Sequence, residues 1–125
     1  MEHKNIDWNN LGKIRLKNSD KESFIFHDIV KLIIVKLILN KSKNRNHQFI
    51  YTEYKFNGRI CDILHYNRLT KEEIVYEIQS KITSSWIKET TDYYKNLDVD
   101  LVIIDLNKLS NDIPILIKQL KELII

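Results

Sequence analysis

A chain of 125 residues is about one domain long, with no spare length for a second core. Hydrophobic residues make up 43% and charged residues 30%, a globular composition that excludes a disordered chain. The formal charge of +3 permits nucleic-acid binding but is too small to argue for it alone.

Residues 1–18 show no clean period. Trp8, Leu11, Ile14 and Leu16 are apolar, while Asn9-Asn10 and Gly12 interrupt any long helix. They read as an N-terminal arm that docks through Trp8, ahead of a single domain over 19–125. The opening Met1-Glu2-His3-Lys4-Asn5 lacks the charged-then-apolar layout of a signal peptide. Next comes a helix, with Ser19 or Asp20 as N-cap and Glu22 in the first turn, where a carboxylate is favoured. Phe26, Ile29, Val30, Ile33, Ile34, Leu37 and Ile38 recur at helical steps, and their arc is wide enough to predict a helix covered on most sides. The apolar run Ile29–Leu39, broken by Lys31 and Lys36, is about half of what a bilayer requires.

After a polar loop over 40–48, three strands are predicted. Phe49–Phe56 is rich in aromatic and β-branched residues, and Asn57-Gly58 is a strong two-residue hairpin signal leading into Arg59–Tyr66. Beyond a turn at 67–71 lies Glu73–Gln79, with Ile74, Tyr76 and Ile78 on one face and Glu73, Val75, Glu77 and Gln79 on the other. From Ser84 the period becomes helical. Ser84 or Ser85 is the expected cap, and Trp86, Ile87, Thr90, Tyr94 and Leu97 share a face. Leu101-Val102-Ile103-Ile104 reads as a strand covered on both faces. Asn111-Asp112-Ile113-Pro114 opens a last helix, in which Ile117, Leu120 and Ile124 repeat. The strand–helix–strand crossover makes the last two strands parallel, so the expectation is an α/β fold with one mixed sheet between helices.

The chemically informative feature is a polar residue where a buried strand should be apolar. Asp62 interrupts Ile60-Cys61-Asp62-Ile63-Leu64, and Glu77 sits inside Ile74-Val75-Tyr76-Glu77-Ile78. Unpaired buried carboxylates are costly, so each needs a cationic side chain or a metal. Alternation points Glu77 and Gln79 the same way. With Asp62 on the adjacent strand, three oxygen-bearing side chains converge, the donor set that hard divalent cations prefer. The competing reading neutralises both acids with Arg59, Lys55 or Arg68.

Asp62 in the second strand, followed by Glu77-Ile78-Gln79 in the third, resembles the signature of the PD-(D/E)xK nucleases. That superfamily includes many restriction endonucleases, the archaeal Holliday junction resolvases and competence proteins of the CoiA type, and its core follows the same element order. The resemblance spans roughly residues 20–106 and implies a restriction-endonuclease-like core. It implies a metal-dependent deoxyribonuclease in which Asp62, Glu77 and the Ile78 carbonyl hold Mg²⁺ or Mn²⁺. It also suggests a homodimer and branched or structured DNA as substrate. The usual lysine is Gln79 here, which can hydrogen-bond to an attacking water but carries no charge. Lys81 would supply a cation if the strand extends that far, and Glu53 would flank Asp62 across the hairpin. The alternative function is a catalytically inactive domain of the same fold that binds nucleic acid or a protein partner.

Other features point less sharply. Lys43 and Arg45 lie in the densest basic stretch and, with Arg59, are candidate phosphate contacts. His3, His27, His47 and His65 lack paired metal-ligand spacing, and no glycine-rich phosphate loop is present. Trp86, Tyr93 and Tyr94 read as core. The single cysteine, Cys61, can form no internal disulfide, which fits a reducing, cytoplasmic setting.

Overall fold

The computed structural model describes residue 16, residues 21–41 and residues 47–124. The expected arm with Trp8, the Ser19/Asp20 cap, and Lys43 and Arg45 lie outside the described residues. Within them the order is α1 (Glu22–Lys41), β1 (Gln48–Phe56), β2 (Arg59–Asn67), β3 (Glu73–Gln79), α2 (Ser84–Lys95), β4 (Asp100–Asp105) and α3 (Ile113–Leu123). The strands form one four-stranded sheet in sequence order. β1, β2 and β3 are antiparallel, and β4 joins β3 in parallel through α2, as the crossover predicts.

Alternating side chains build a core on each face of the sheet. On one face, Ile50, Ile63, Ile74, Tyr76, Ile78 and Ile104 pack against Val30, Ile34 and Ile38 of α1 and Leu116 and Leu120 of α3. On the other, Cys61, Leu64 and Val75 pack with Tyr94 of α2. β4 is an edge strand and is only partly covered: Ile104 is buried in the first core, while Leu101, Val102 and Ile103 are half-buried. Contrary to the wide-arc expectation, α1 is covered on one side only among the described residues, and Ile25, Ile29 and Leu32 are exposed.

The turns follow local chemistry closely. Asn57 and Gly58 both have positive φ, at 52° and 91°, the conformation a tight two-residue hairpin requires. The cap of α2 is Thr83 rather than Ser84 or Ser85: its side chain accepts from the Trp86 N–H at 3.1 Å, which places both serines inside the first turn. Thr90 and Tyr94 are buried as their shared face predicts, whereas Ile87 on the same face is exposed. In α3, Asp112 caps the Ile115 N–H, Pro114 occupies the first turn, and Leu116 is buried in place of the expected Ile117.

The sheet departs from simple alternation at one place. Tyr51 and Tyr54 should face opposite ways, yet their rings lie 5.0 Å apart. Cys61 and Leu64 likewise share the α2-side core while Ile63 joins the α1 side. The slip falls where Glu53 lies opposite Asp62, between the pairs Thr52–Ile63 and Tyr54–Cys61. Glu53 adopts φ 47°, a left-handed conformation that non-glycine residues seldom take. The paired register of β2 with β3 ends at Ile63–Tyr76, immediately before Asp62 and Glu77.

Candidate acidic site

Beyond that last backbone pair, side chains take over the contact between β2 and β3. Asp62 Oδ2 accepts from the Ile78 N–H at 2.7 Å, and the Asp62 N–H donates to Glu77 Oε1 at 3.3 Å. Both acids are buried, so each carboxylate is satisfied by strand amides that would otherwise be orphaned.

Each acid also has a partner from a helix-facing side. Asp62 Oδ1 lies 3.0 Å from His27 Nε2 on α1. Glu77 Oε2 accepts from Arg59 Nη2 at 3.1 Å and lies 3.5 Å from the Tyr94 hydroxyl. Burial pushes the Glu77 carboxyl up to about 7, the neighbouring Asp62 charge adds to the rise, and Arg59 opposes it. The same burial raises the Cys61 thiol to about 12, so it is no nucleophile at neutral pH.

Asp62, Glu77, Ile78 and Gln79 line one cleft of about 230 Å³ together with His27 and Arg59, and Phe24, Ile60 and Trp86 complete its wall. Asp62, Glu77 and Gln79 thus line the same cleft, but the expected set of three oxygen donors is reduced to the two carboxylates. Gln79 Oε1 accepts from the Ser80 and Lys81 amides at 3.0 and 3.4 Å, so the group it retains for the cleft is its NH₂ donor.

Two other candidates are placed elsewhere. β3 ends at Gln79, and Lys81 is exposed in the following turn and does not line the cleft. Glu53 turns to the α1 side, where its Oε2 accepts from Lys31 Nζ at 3.2 Å. Arg59 is brought directly to the acids, and of the three cations weighed as neutralising partners it is the one that pairs with Glu77.

The parts that His27, Lys31 and Thr90 play around the acids escape the sequence reading, which places Thr90 only on the shared face of α2. Lys31 is fully buried and pairs with Glu53 and Asp28, while His27 bridges Asp28 and Asp62. A signal existed: both lie at the spacing of the buried Val30, Ile34 and Ile38, and a polar residue in that stripe needs a partner in the sheet. Thr90 is fully buried, where its hydroxyl accepts from Arg59 Nη2 at 2.8 Å.

Among the described residues, no group of three or more His, Cys, Asp and Glu side chains is arranged to hold a metal ion. No helix among them is long and apolar enough to cross a membrane. Fold and site together define an α/β domain whose single mixed sheet carries a buried carboxylate pair at the divergence of two strands. Comparison with family models, curated proteins and solved structures finds no match to this chain.

Proposed function

We propose that this domain is a metal-dependent nuclease that hydrolyses DNA phosphodiester bonds at the Asp62–Glu77 cleft. The observation that carries the reading is the carboxylate pair itself: two buried acids, in side-chain-to-backbone contact, with the Glu77 carboxyl raised to about 7 by burial and by its neighbour. A divalent cation relieves that repulsion. The residues fit Mg²⁺ or Mn²⁺, for Asp62, Glu77 and the Ile78 carbonyl supply few, hard oxygen donors. Mg²⁺ ordinarily takes only one or two carboxylates and completes its shell with water and substrate phosphate. When bound, such an ion lowers the pKa of a water and polarises a phosphoryl oxygen.

The chain's own groups would then act around it. His27 holds Asp62 Oδ1 and fixes the carboxylate's rotation. The Gln79 NH₂ donates to a phosphate oxygen or to the attacking water. Phe24, Ile60 and Trp86 complete the wall of the cleft. A homodimer, a branched or structured DNA substrate and a cytoplasmic setting accompany this reading as expectations from the same resemblance.

The test is calorimetric titration of Mn²⁺ into the wild type, Asp62→Asn and Asp62→Ala without nucleic acid, followed by cleavage assays on linear and branched DNA. Binding lost in both variants, with melting temperatures close to wild type, supports the reading. Metal-dependent cleavage that survives in Asp62→Ala and Glu77→Ala rules it out.

A second reading has an observation of its own. Every oxygen of the two carboxylates already accepts from a protein donor, and the position expected to hold lysine is glutamine. Such a domain would bind nucleic acid or a protein without cutting. Under this reading Gln79→Lys creates cleavage that the wild type lacks.

A further inference from the structure

We propose that Arg59 is a preorganised phosphate receptor and supplies the fixed positive charge of the cleft, the charge that Gln79 does not carry. The proposal rests on the nuclease reading for its substrate, a nucleic-acid phosphodiester, but not for its geometry.

Arg59 is the first residue of β2, immediately after the Asn57-Gly58 turn, and is the one Lys or Arg side chain that lines the cleft among the described residues. Its guanidinium is held on three sides. Nη2 spends both hydrogens inside the protein, one on Glu77 Oε2 at 3.1 Å and one on Thr90 Oγ1 at 2.8 Å. The Tyr93 and Tyr94 rings each have their centroid 5.5 Å from Cζ, and they stand nearly perpendicular to each other at 83°. Tyr93 is itself fixed, its single hydroxyl hydrogen shared between the Phe56 and Asn57 carbonyls of the hairpin at 2.8 and 2.6 Å.

A salt bridge alone would not need this arrangement. One nitrogen serves both protein acceptors, which leaves the Nη1 and Nε hydrogens uncommitted among the described residues, and the side chain is about a quarter exposed at 24%. A guanidinium presents its donors as a rigid fork that matches two oxygens of a phosphate. Here the loss of rotamer freedom that normally opposes such binding has already occurred on folding, because aromatic rings and a buried threonine hold the group. The receptor also stands beside Glu77, so a phosphate seated on it lies next to the carboxylate pair.

The test is fluorescence anisotropy of a labelled DNA oligonucleotide in EDTA, across a series of KCl concentrations, for wild type, Arg59→Gln, Arg59→Lys and Thr90→Val. Arg59→Gln should lose about tenfold in affinity and lower the log K against log salt slope by about one contact's worth. Arg59→Lys should keep the slope while losing affinity, because the charge remains and the fork does not. Thr90→Val, which leaves the charge in place and removes one anchor, should weaken binding with an unchanged slope. Unaltered affinity and slope in Arg59→Gln overturn the proposal, as does a wild type that does not bind the oligonucleotide at low salt. The Mn²⁺ titration separates the two ideas. Arg59-dependent binding with no metal uptake retains the receptor and rejects the metal site, and metal uptake with Arg59-independent binding does the reverse.

Discussion

Asp62 and Glu77 hold each other through the backbone rather than side chain to side chain. The Asp62 amide donates to the Glu77 carboxylate, and the Asp62 carboxylate accepts from the amide that follows Glu77. Two diverging strands would leave those amides without ladder partners, and the acids supply acceptors in their place. The arrangement stabilises the strand ends and confines two negative charges to one buried spot.

That confinement has a pH signature. The folded Glu77 carboxyl titrates at about 7, above its ordinary 4.5, so between these values the native state holds a proton that the unfolded chain has lost. Its contribution to stability is therefore present on the acid side and is lost as pH rises through about 7. Thermal melts of wild type and Glu77→Gln from about pH 5 to about pH 8 should show the wild type losing more stability with rising pH than the variant. Parallel curves would contradict the assignment.

Lys31 is fully buried and pairs with both Glu53 and Asp28, so its removal takes a buried cation away from two acids. Lys31→Met should destabilise by about 3 kcal/mol in urea unfolding, and the double change with Glu53→Gln should recover a good part of that. Glu53→Gln alone should leave Mn²⁺ binding unchanged, because Glu53 faces α1 and not the cleft.

Gly58 has φ 91° and open space where a Cβ would stand, so only backbone conformation opposes a larger residue. Gly58→Ala should cost about 1 kcal/mol. Because Arg59 follows directly, the same variant should weaken oligonucleotide binding more than its stability loss accounts for.

The α2 cap offers a comparison between neighbours. Thr83→Ala removes the acceptor for the Trp86 amide and should cost about 1 kcal/mol in denaturant melts, whereas Ser84→Ala should stay within about 0.5 kcal/mol. The reverse order would return the cap to Ser84.

Wherever neighbours in the chain set the chemistry, the reading from sequence was close. Asn57-Gly58 can adopt positive φ and forms the hairpin, Pro114 opens α3, and the apolar alternation of β3 places Ile74, Tyr76 and Ile78 on one core and Val75 on the other. Asp62 and Glu77 stood out because carboxylates are expensive inside apolar strands. The misplacements are of another kind. Ile87 and Ile117 share a period with residues that are buried, yet Ile87 is exposed and Ile117 only half-buried, because what packs against each helix covers part of its apolar arc. Lys81 depended on where β3 stops, and Gln79 ends it by capping the Ser80 and Lys81 amides with its own side chain.

By itself, then, the sequence determined the elements, their order and the two acids, because propensity, turn chemistry and the cost of burying charge act locally. Only the tertiary structure decided which groups answer those acids. His27 lies 35 residues from Asp62, Arg59 lies 31 from Thr90, and Lys31 lies 22 from Glu53. Periodicity does not encode pairings across such distances. They arise when α1 packs on one face of the sheet and α2 on the other, and a left-handed residue at Glu53 turns two strands at the same point. Charge compensation is a property of the packed interior, where the low dielectric makes an unmatched group costly and so selects the partner.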